Sequence, residues 1–513
     1  MDITWITEMP LWLRISGSLL TIIFISLYVY SSRKHRLFKD MGIPGPKPVF
    51  LLGNLMWWVK KGLVQTDMEL TKAYGKVYGT FNGVLPSLII SDPELIKEIC
   101  IKNFHDFPNR FNLISSVLFG SALTMATDDH WKFLRTTLSP TFSSGKLKQM
   151  VPVVHKCVDS LVKNITKQTS SDKAPDFKPI FGAYTMDIIA STAFGIEVDS
   201  QSNPDDQFVK NAREAMDFSM TNPMLILALI FPQLNGLFTL LKYEFFPKHN
   251  VLFFVKVTKA ALAERKEDNT GYNDFLQLMV NAHKDTDAEI DEDIGFNFEG
   301  YKARGLTEDE MIANALLFFL AAYDTTSSAL TFAAFALATN PDCQEKLIDE
   351  IDKEIGKNKP TYLSAMGLSY LDMFFSEVLR LYPPANRFNR TAERTVVING
   401  CTIPKGIDIT VPVFALHRNE EFWPNPEKFD PERFTPEEKA KRNPYTYLPF
   451  GLGPRICLGM RLAQLEAKLA IIAILQRFRF RTTPETEITP TFANGGITKP
   501  ANGMFLQVEP RGD

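Results

Sequence analysis

Phe450-Gly451-Leu452-Gly453-Pro454-Arg455-Ile456-Cys457-Leu458-Gly459 is a glycine-broken loop that runs straight into an apolar helical pattern reaching about Leu475. Cys457 therefore stands at the start of a helix. Unpaired backbone N–H groups and the positive end of the macrodipole favour a thiolate there, and thiolate is the form that binds metal. Gly451, Gly453 and Gly459 remove side chains around the sulfur, so backbone can approach a flat ligand and aim donors at the sulfur. A surface turn followed by a helix with one inert cysteine would explain any single residue here. The joint spacing of Phe450, Gly453, Arg455, Cys457 and Gly459 is far more specific than a lone glycine motif.

Working back from this loop, Pro431-Glu432-Arg433-Phe434 follows Glu377-Val378-Leu379-Arg380, whose acid and base lie three apart on a predicted helix. Alone, such a pair is an exposed contact of a few tenths of a kcal/mol. Further back, Thr307 and Glu310 have capping-box spacing and open a long apolar helix that runs to about Thr339, before Asn340-Pro341. Midway it carries Ala321-Ala322-Tyr323-Asp324-Thr325-Thr326-Ser327-Ser328. Hydroxyls in such a place commonly bond back to helix carbonyls. The alternative is a widened turn that holds water and a proton relay. Trp131 and Arg135 share one face of another predicted helix.

Leu11 to Tyr30 is an apolar run whose only charge is Arg14, close to the span of a bilayer core about 30 Å thick. Asp2 and Glu8 precede it, whereas Arg33, Lys34, Arg36 and Lys39 follow it, so the positive-inside rule puts the remainder on the cytosolic side. No small-residue cleavage site follows the run, so a retained single-pass anchor is expected rather than a signal peptide. Residues 1–32 read as the anchor, 33–48 as a basic and Pro-rich hinge, and 49–513 as one catalytic body. Short strands are predicted over 76–81 and 85–90, and a hairpin turns at Asn399-Gly400. The segment from about 125 to 385 is mostly helical. An apolar stretch from Pro223 to Phe246 is broken by proline and glycine, which argues against a second span and leaves a buried helix or a lipid-dipping entrance.

From five scattered cysteines neither a disulfide framework nor a C-x-x-C zinc site can be read. A net charge of −3, with no basic run interleaved with aromatics, gives no reason to expect a nucleic-acid partner.

Taken together, the anchor, the Pro-rich hinge, W-x-x-x-R, A-x-x-D-T-T, E-x-x-R, P-E-R-F and the Cys457 loop resemble, in order, the motifs of the cytochrome P450 family of haem-thiolate monooxygenases. Tyr184-Thr185-Met186-Asp187 and the Tyr323–Ser328 stretch look most like the microsomal family 3 branch. The resemblance implies a mainly α fold with small β-sheets, a large helical domain plus a small β-rich region behind a transmembrane anchor. It implies haem b (iron protoporphyrin IX) with Cys457 as the iron ligand. Trp131, Arg135, Arg390, Phe450 and Arg455 match cofactor-binding positions, with the cations facing the propionates. Asp324 and Thr325 match the proton-delivery acid and the oxygen-side threonine, although Ala322 stands where the family usually has glycine. Glu377, Arg380 and Arg433 match a structural triad. Candidate pocket residues are Phe111, Leu320, Ala321, Ala385 and Asn386.

The implied reaction inserts one atom of O2 into an apolar steroid, lipid or xenobiotic at the endoplasmic reticulum membrane. No G-x-G-x-x-G fingerprint opens a β-α unit, so electrons are expected from a separate flavoprotein, NADPH-cytochrome P450 reductase, with cytochrome b5 as a further partner. Lys132, Arg455 and Arg461 are candidates for the docking face. A haem-thiolate isomerase of lipid peroxides is the alternative, and a non-catalytic haem- or lipid-binding protein a further one. Retention of Thr325 argues against the first, and the intact Asp324-Thr325 pair against the second.

Overall fold

The computed structural model describes residues 10–111, 119–168, 173–203, 207–215, 222–241, 243, 247–267, 274–282 and 297–512 of the chain. The N-terminal apolar run is one helix, Leu11–His35, with a mean hydropathy of 1.7 over its most apolar window and none of that window buried. At about 1.5 Å per residue it exceeds a 30 Å hydrocarbon core. The helix continues past residue 32 into the stretch read as hinge. Arg33, Lys34 and His35 sit in its last turn, where cations offset the negative end of the dipole. Asp2 and Glu8 lie outside the described residues. The end of this helix packs on the body: His35 Nε2 donates to the Gly83 carbonyl at 3.0 Å, and Tyr30 stacks on Phe231 with ring centres 6.2 Å apart.

Strands β1 (Val77–Asn82) and β2 (Leu85–Ile90) form the predicted antiparallel pair around Gly83, which turns with φ +65°. Strand β3 (Phe388–Thr391) carries Arg390 out of the loop that follows Pro384. The second hairpin is β4 (Val396–Ile398) and β5 (Cys401–Ile403), with positive φ at both Asn399 and Gly400 as a type I′ turn requires. Strand β6 (Asp408–Val411) then enters the first sheet between β2 and β3, giving the order β1-β2-β6-β3. Partners separated by some three hundred residues thus make one sheet, which no local pattern announces.

The helical body is built on the predicted long helix, observed as Glu308–Thr339. Thr307 and Glu310 cap it reciprocally, each side chain bonding the other's backbone N–H. Its composition would suit a membrane span, but 72% of its most apolar window is buried among the other helices, so it is the core. Pro223–Ile230 and Pro232–Leu240 meet at 112° and do not form one straight span. Leu225 and Ala228 are buried while Leu237, Leu240 and Leu241 are exposed, so the segment has one face of each kind. Phe245 and Phe246 of that stretch lie outside the described residues.

Candidate active site

One face of the long helix, the Cys457 loop and the chain from Pro384 to Arg390 enclose a cavity of about 430 Å³. From the helix come Leu317, Phe318, Ala321, Ala322, Thr325, Thr326 and Ala329, the three- and four-residue recurrence of a single face. That periodicity sorts the candidate pocket residues. Ala321 and Ala385 line the cavity. Leu320, one position round the helix, packs into the helical core instead. Asn386 is buried and spends its amide on the Gly495 carbonyl at 2.9 Å. Phe111 is half-buried and does not line the cavity.

Cys457 lines the same cavity, its exposed surface lying against that internal space deep in the protein, and its backbone N–H donates to the Phe450 carbonyl at 2.9 Å. The helix itself begins only at Met460. Burial pushes the thiol up, and the N–H groups of Gly459 and Met460, with Arg110 and Arg135, only partly reverse this. The expectation that a helix start alone favours thiolate is therefore corrected. Desolvation outweighs the donors and cations of the loop, which still act in the direction of thiolate. Gly453 turns with φ +74°, and a Cβ there would collide with the Cys100 carbonyl, so this glycine is obligatory. Phe450 lines the cavity beside it.

Four guanidiniums gather around this loop. Arg135 donates to the Ile456 carbonyl at 2.8 Å, Arg390 to Leu452 at 3.0 Å and Arg110 to Arg455 at 3.3 Å. Arg455 donates to the Pro108 carbonyl at 2.7 Å and lies over the Trp131 ring at 4.2 Å. Burial, with the neighbouring cations, pushes Arg455 down to about 9 and Arg110 to about 10. Arg110 Nε, Arg390 Nε and Arg455 Nη1 are buried without a hydrogen-bond partner. Stranded donors and mutually repelling cations call for anions at this place. The two carboxylates of a haem meet that demand, and the residues present therefore fit the group. Arg455 is buried, which removes it from the expected docking face, whereas Lys132 and Arg461 are exposed.

On the long helix, Thr325 Oγ1 donates back to the Ala321 carbonyl at 2.6 Å, and the helix is unbroken α across this turn. The widened turn expected from sequence is absent, since the hydroxyl closes on its own helix. Asp324 points away from the cavity face. Lys178 Nζ meets its Oδ1 at 2.5 Å and Lys499 Nζ meets its Oδ2 at 3.5 Å. Burial would raise the Asp324 carboxyl, but the two lysines outweigh it and hold it below the usual range. Lys178 also donates to Ser327 Oγ at 2.6 Å.

Glu377 and Arg380 are fully buried and paired twice, Nε to Oε2 at 2.7 Å and Nη2 to Oε1 at 2.8 Å. Arg433 Nε approaches Glu377 Oε1 at 3.5 Å, so the triad assembles. Arg380 Nη1 donates to the His417 carbonyl at 2.9 Å, and His417 Nε2 accepts from the Leu448 N–H at 2.8 Å. Burial, then Arg380, pushes His417 down to about 3, so it is neutral and free to accept. This chain of bonds ties the triad to the start of the Cys457 loop. Arg110, Lys178, His417 and Arg387 escaped sequence reading, because nothing local distinguishes a buried cation or imidazole from a surface one.

A family model described as Cytochrome P450 matches residues 43–508. The chain is 42% identical over 496 residues to cytochrome P450 3A11 of Mus musculus, with 96% of each chain covered. It is 41% identical, over the same shares, to cytochrome P450 3A29 of Sus scrofa and to cytochrome P450 3A14 of Cavia porcellus.

Proposed function

Because the chain belongs to the cytochrome P450 family, we propose that it oxidises a small apolar molecule, a steroid, lipid or xenobiotic, with electrons from NADPH-cytochrome P450 reductase. Haem-thiolate monooxygenase is the activity of the family and of these relatives, with haem as cofactor and O2 and a redox partner as requirements. The observation that carries the reading is a single cavity lined by both Cys457 and Thr325, with guanidiniums grouped around the Cys457 loop.

Bound haem supplies the iron at which O2 is held and activated. Cys457 would ligate it, and Trp131, Arg110, Arg135, Arg390 and Arg455 would hold its propionates. Ala321, Phe318 and Val413 offer the substrate an apolar wall and keep water out. Thr325 would swing its hydroxyl from the Ala321 carbonyl into the cavity to donate a hydrogen bond there. Asp324, ionised between Lys178 and Lys499, would have to relay a proton taken from water, accepting it on one carboxylate oxygen as a lysine contact opens and passing it on toward Thr325. Glu377, Arg380 and Arg433 act on the fold and touch no reacting atom.

The anchor, hinge and body divide near residues 32 and 48 in this reading. Basic residues after the apolar helix support an endoplasmic reticulum anchor with the body on the cytosolic side. Cytochrome b5 would serve as an accessory donor. In the test, purified chain is supplied with NADPH and substrate in lipid, with and without reductase. Product only with reductase is expected, and turnover by the chain and NADPH alone would overturn the electron route. Substrate-induced shifts of the haem spectrum across steroids, fatty acids and drug-like ligands would rank the substrate classes.

A further inference from the structure

Resting on that monooxygenase reading, we propose that the preferred substrates are apolar anions, lipophilic carboxylates or sulfate esters, and that Arg387 is the residue that recognises their charge. Among the described residues, the ionisable side chains lining the cavity, besides Cys457, are Arg110, Arg135, Arg387, Arg390, Arg455 and Glu466. Glu466, the one carboxyl side chain on that lining among the described residues, is buried without an ion pair and is pushed up to about 8 by burial.

Four of the five arginines belong to the Cys457 loop, through the Ile456, Leu452 and Pro108 carbonyls and the contact of Arg110 with Arg455. They are the group that two haem propionates satisfy. Arg387 does not share those contacts. Its Nη2 meets Asp67 Oδ1 at 2.6 Å, and its guanidinium lies over the Trp58 ring at 5.2 Å, both residues belonging to the helical segment Leu55–Tyr74. Asp67 is the one carboxylate bonded to it among the described residues. Nearby Asp408 is hydrogen-bonded by Ser87 at 2.7 Å and Thr410 at 3.0 Å and feels the Arg387 charge without a direct bond to it.

A guanidinium has five N–H donors in a planar fork. Asp67 occupies one arm, while Nε is buried with no partner. The Trp58 face fixes the plane of the fork, which lowers the entropy lost when an anion docks. That open Nε donor, on a lining whose other charged groups are mostly cations, favours an anion over an amine. The rest of the wall, including Phe318, Ala321 and Val413, takes hydrocarbon. An apolar body with one acidic end is the shape of ligand that satisfies both. The competing role for Arg387 is purely structural, as the counter-charge of buried Asp67.

The test uses the full haem-loaded chain in phosphatidylcholine nanodiscs, with pregnenolone sulfate and uncharged pregnenolone as probes. Each Kd is read from the substrate-induced shift of the haem band, with no reductase present. The quantity compared between proteins is the ratio of the two Kd values, so lipid partitioning of the probes cancels. Arg387→Gln is expected to lower the preference for the sulfate by about ten-fold, the worth of one charge-assisted hydrogen bond. Arg387→Lys should restore part of it. Asp67→Asn frees the fork and should raise the preference about three-fold or more. A ratio that moves less than about three-fold in Arg387→Gln overturns the proposal. Should that variant fail to retain haem, Asp67→Asn decides: an unchanged or lowered preference overturns it. Because binding is read without electron transfer, an intact charge preference with no product counts against the proposed reaction alone. Turnover with an unchanged ratio counts against Arg387 alone.

Discussion

Glu377→Gln is expected to destabilise the protein by about 3–5 kcal/mol, the cost of stranding a buried cation by removing its partner. The side chains of Glu377 and Arg380 are at 0% exposure, and Arg433 is at 13%. Glu377 Oε1 accepts from Arg380 Nη2 at 2.8 Å and from the Asp430 N–H at 2.9 Å, while Oε2 accepts from Arg380 Nε at 2.7 Å. A neutral glutamine keeps one acceptor oxygen, removes the countercharge of two arginines and turns an amide donor toward donors. The sequence alone, reading the pair as exposed at i, i+3, would assign only a few tenths of a kcal/mol. The two figures differ by roughly tenfold and are easily told apart. Urea unfolding of the haem-loaded chain, followed by circular dichroism and by the thiolate-ligated haem absorbance, measures the difference. Arg380 also reaches Leu448 through His417, so the haem signal should be lost at lower urea than in the parent. A destabilisation below about 1 kcal/mol, comparable with an exposed pair, would refute the reasoning.

Burial alone would raise Glu310, but His130 at 2.7 Å, Arg304 and the Thr307 N–H bring it down to about 2. A depressed carboxyl stabilises the fold above its unfolded value and loses that contribution as pH falls toward 2, so Glu310→Gln should cost roughly 3 kcal/mol at neutral pH. The gap between variant and parent in urea should narrow steadily below about pH 4.5, and a gap independent of pH would remove the ion pair from the explanation. Cys457→Ser should abolish the thiolate-type absorbance of the reduced, CO-bound protein, and an unchanged spectrum would sink the ligand assignment. Thr325→Ala should lower product formed per NADPH and raise released hydrogen peroxide, while NADPH consumption continues. Unchanged coupling would count against a role in proton delivery.

Where a feature depends on neighbours in the chain, the sequence by itself determined it. Asn399-Gly400 dictated a type I′ turn because both residues tolerate positive φ. Thr307 and Glu310 dictated the start of the long helix, since a capping box closes within one turn. The N-terminal helix follows from its length and apolarity, and the Cys457 loop was legible from five positions in ten. Only the tertiary structure decided what each side chain meets across the fold. Ala321 faces the cavity and Leu320 the core, although they are adjacent and both apolar, because a helix turns about 100° between them. The thiol of Cys457 is raised, against the helix-end expectation, since burial depends on every element that closes over it. Asp324 meets Lys178 across 146 positions and Arg387 meets Asp67 across 320. Ion pairs of that kind leave no local pattern, because a charge in sequence looks the same whether water or another chain segment will surround it, and the low dielectric that gives the pair its strength exists only after folding.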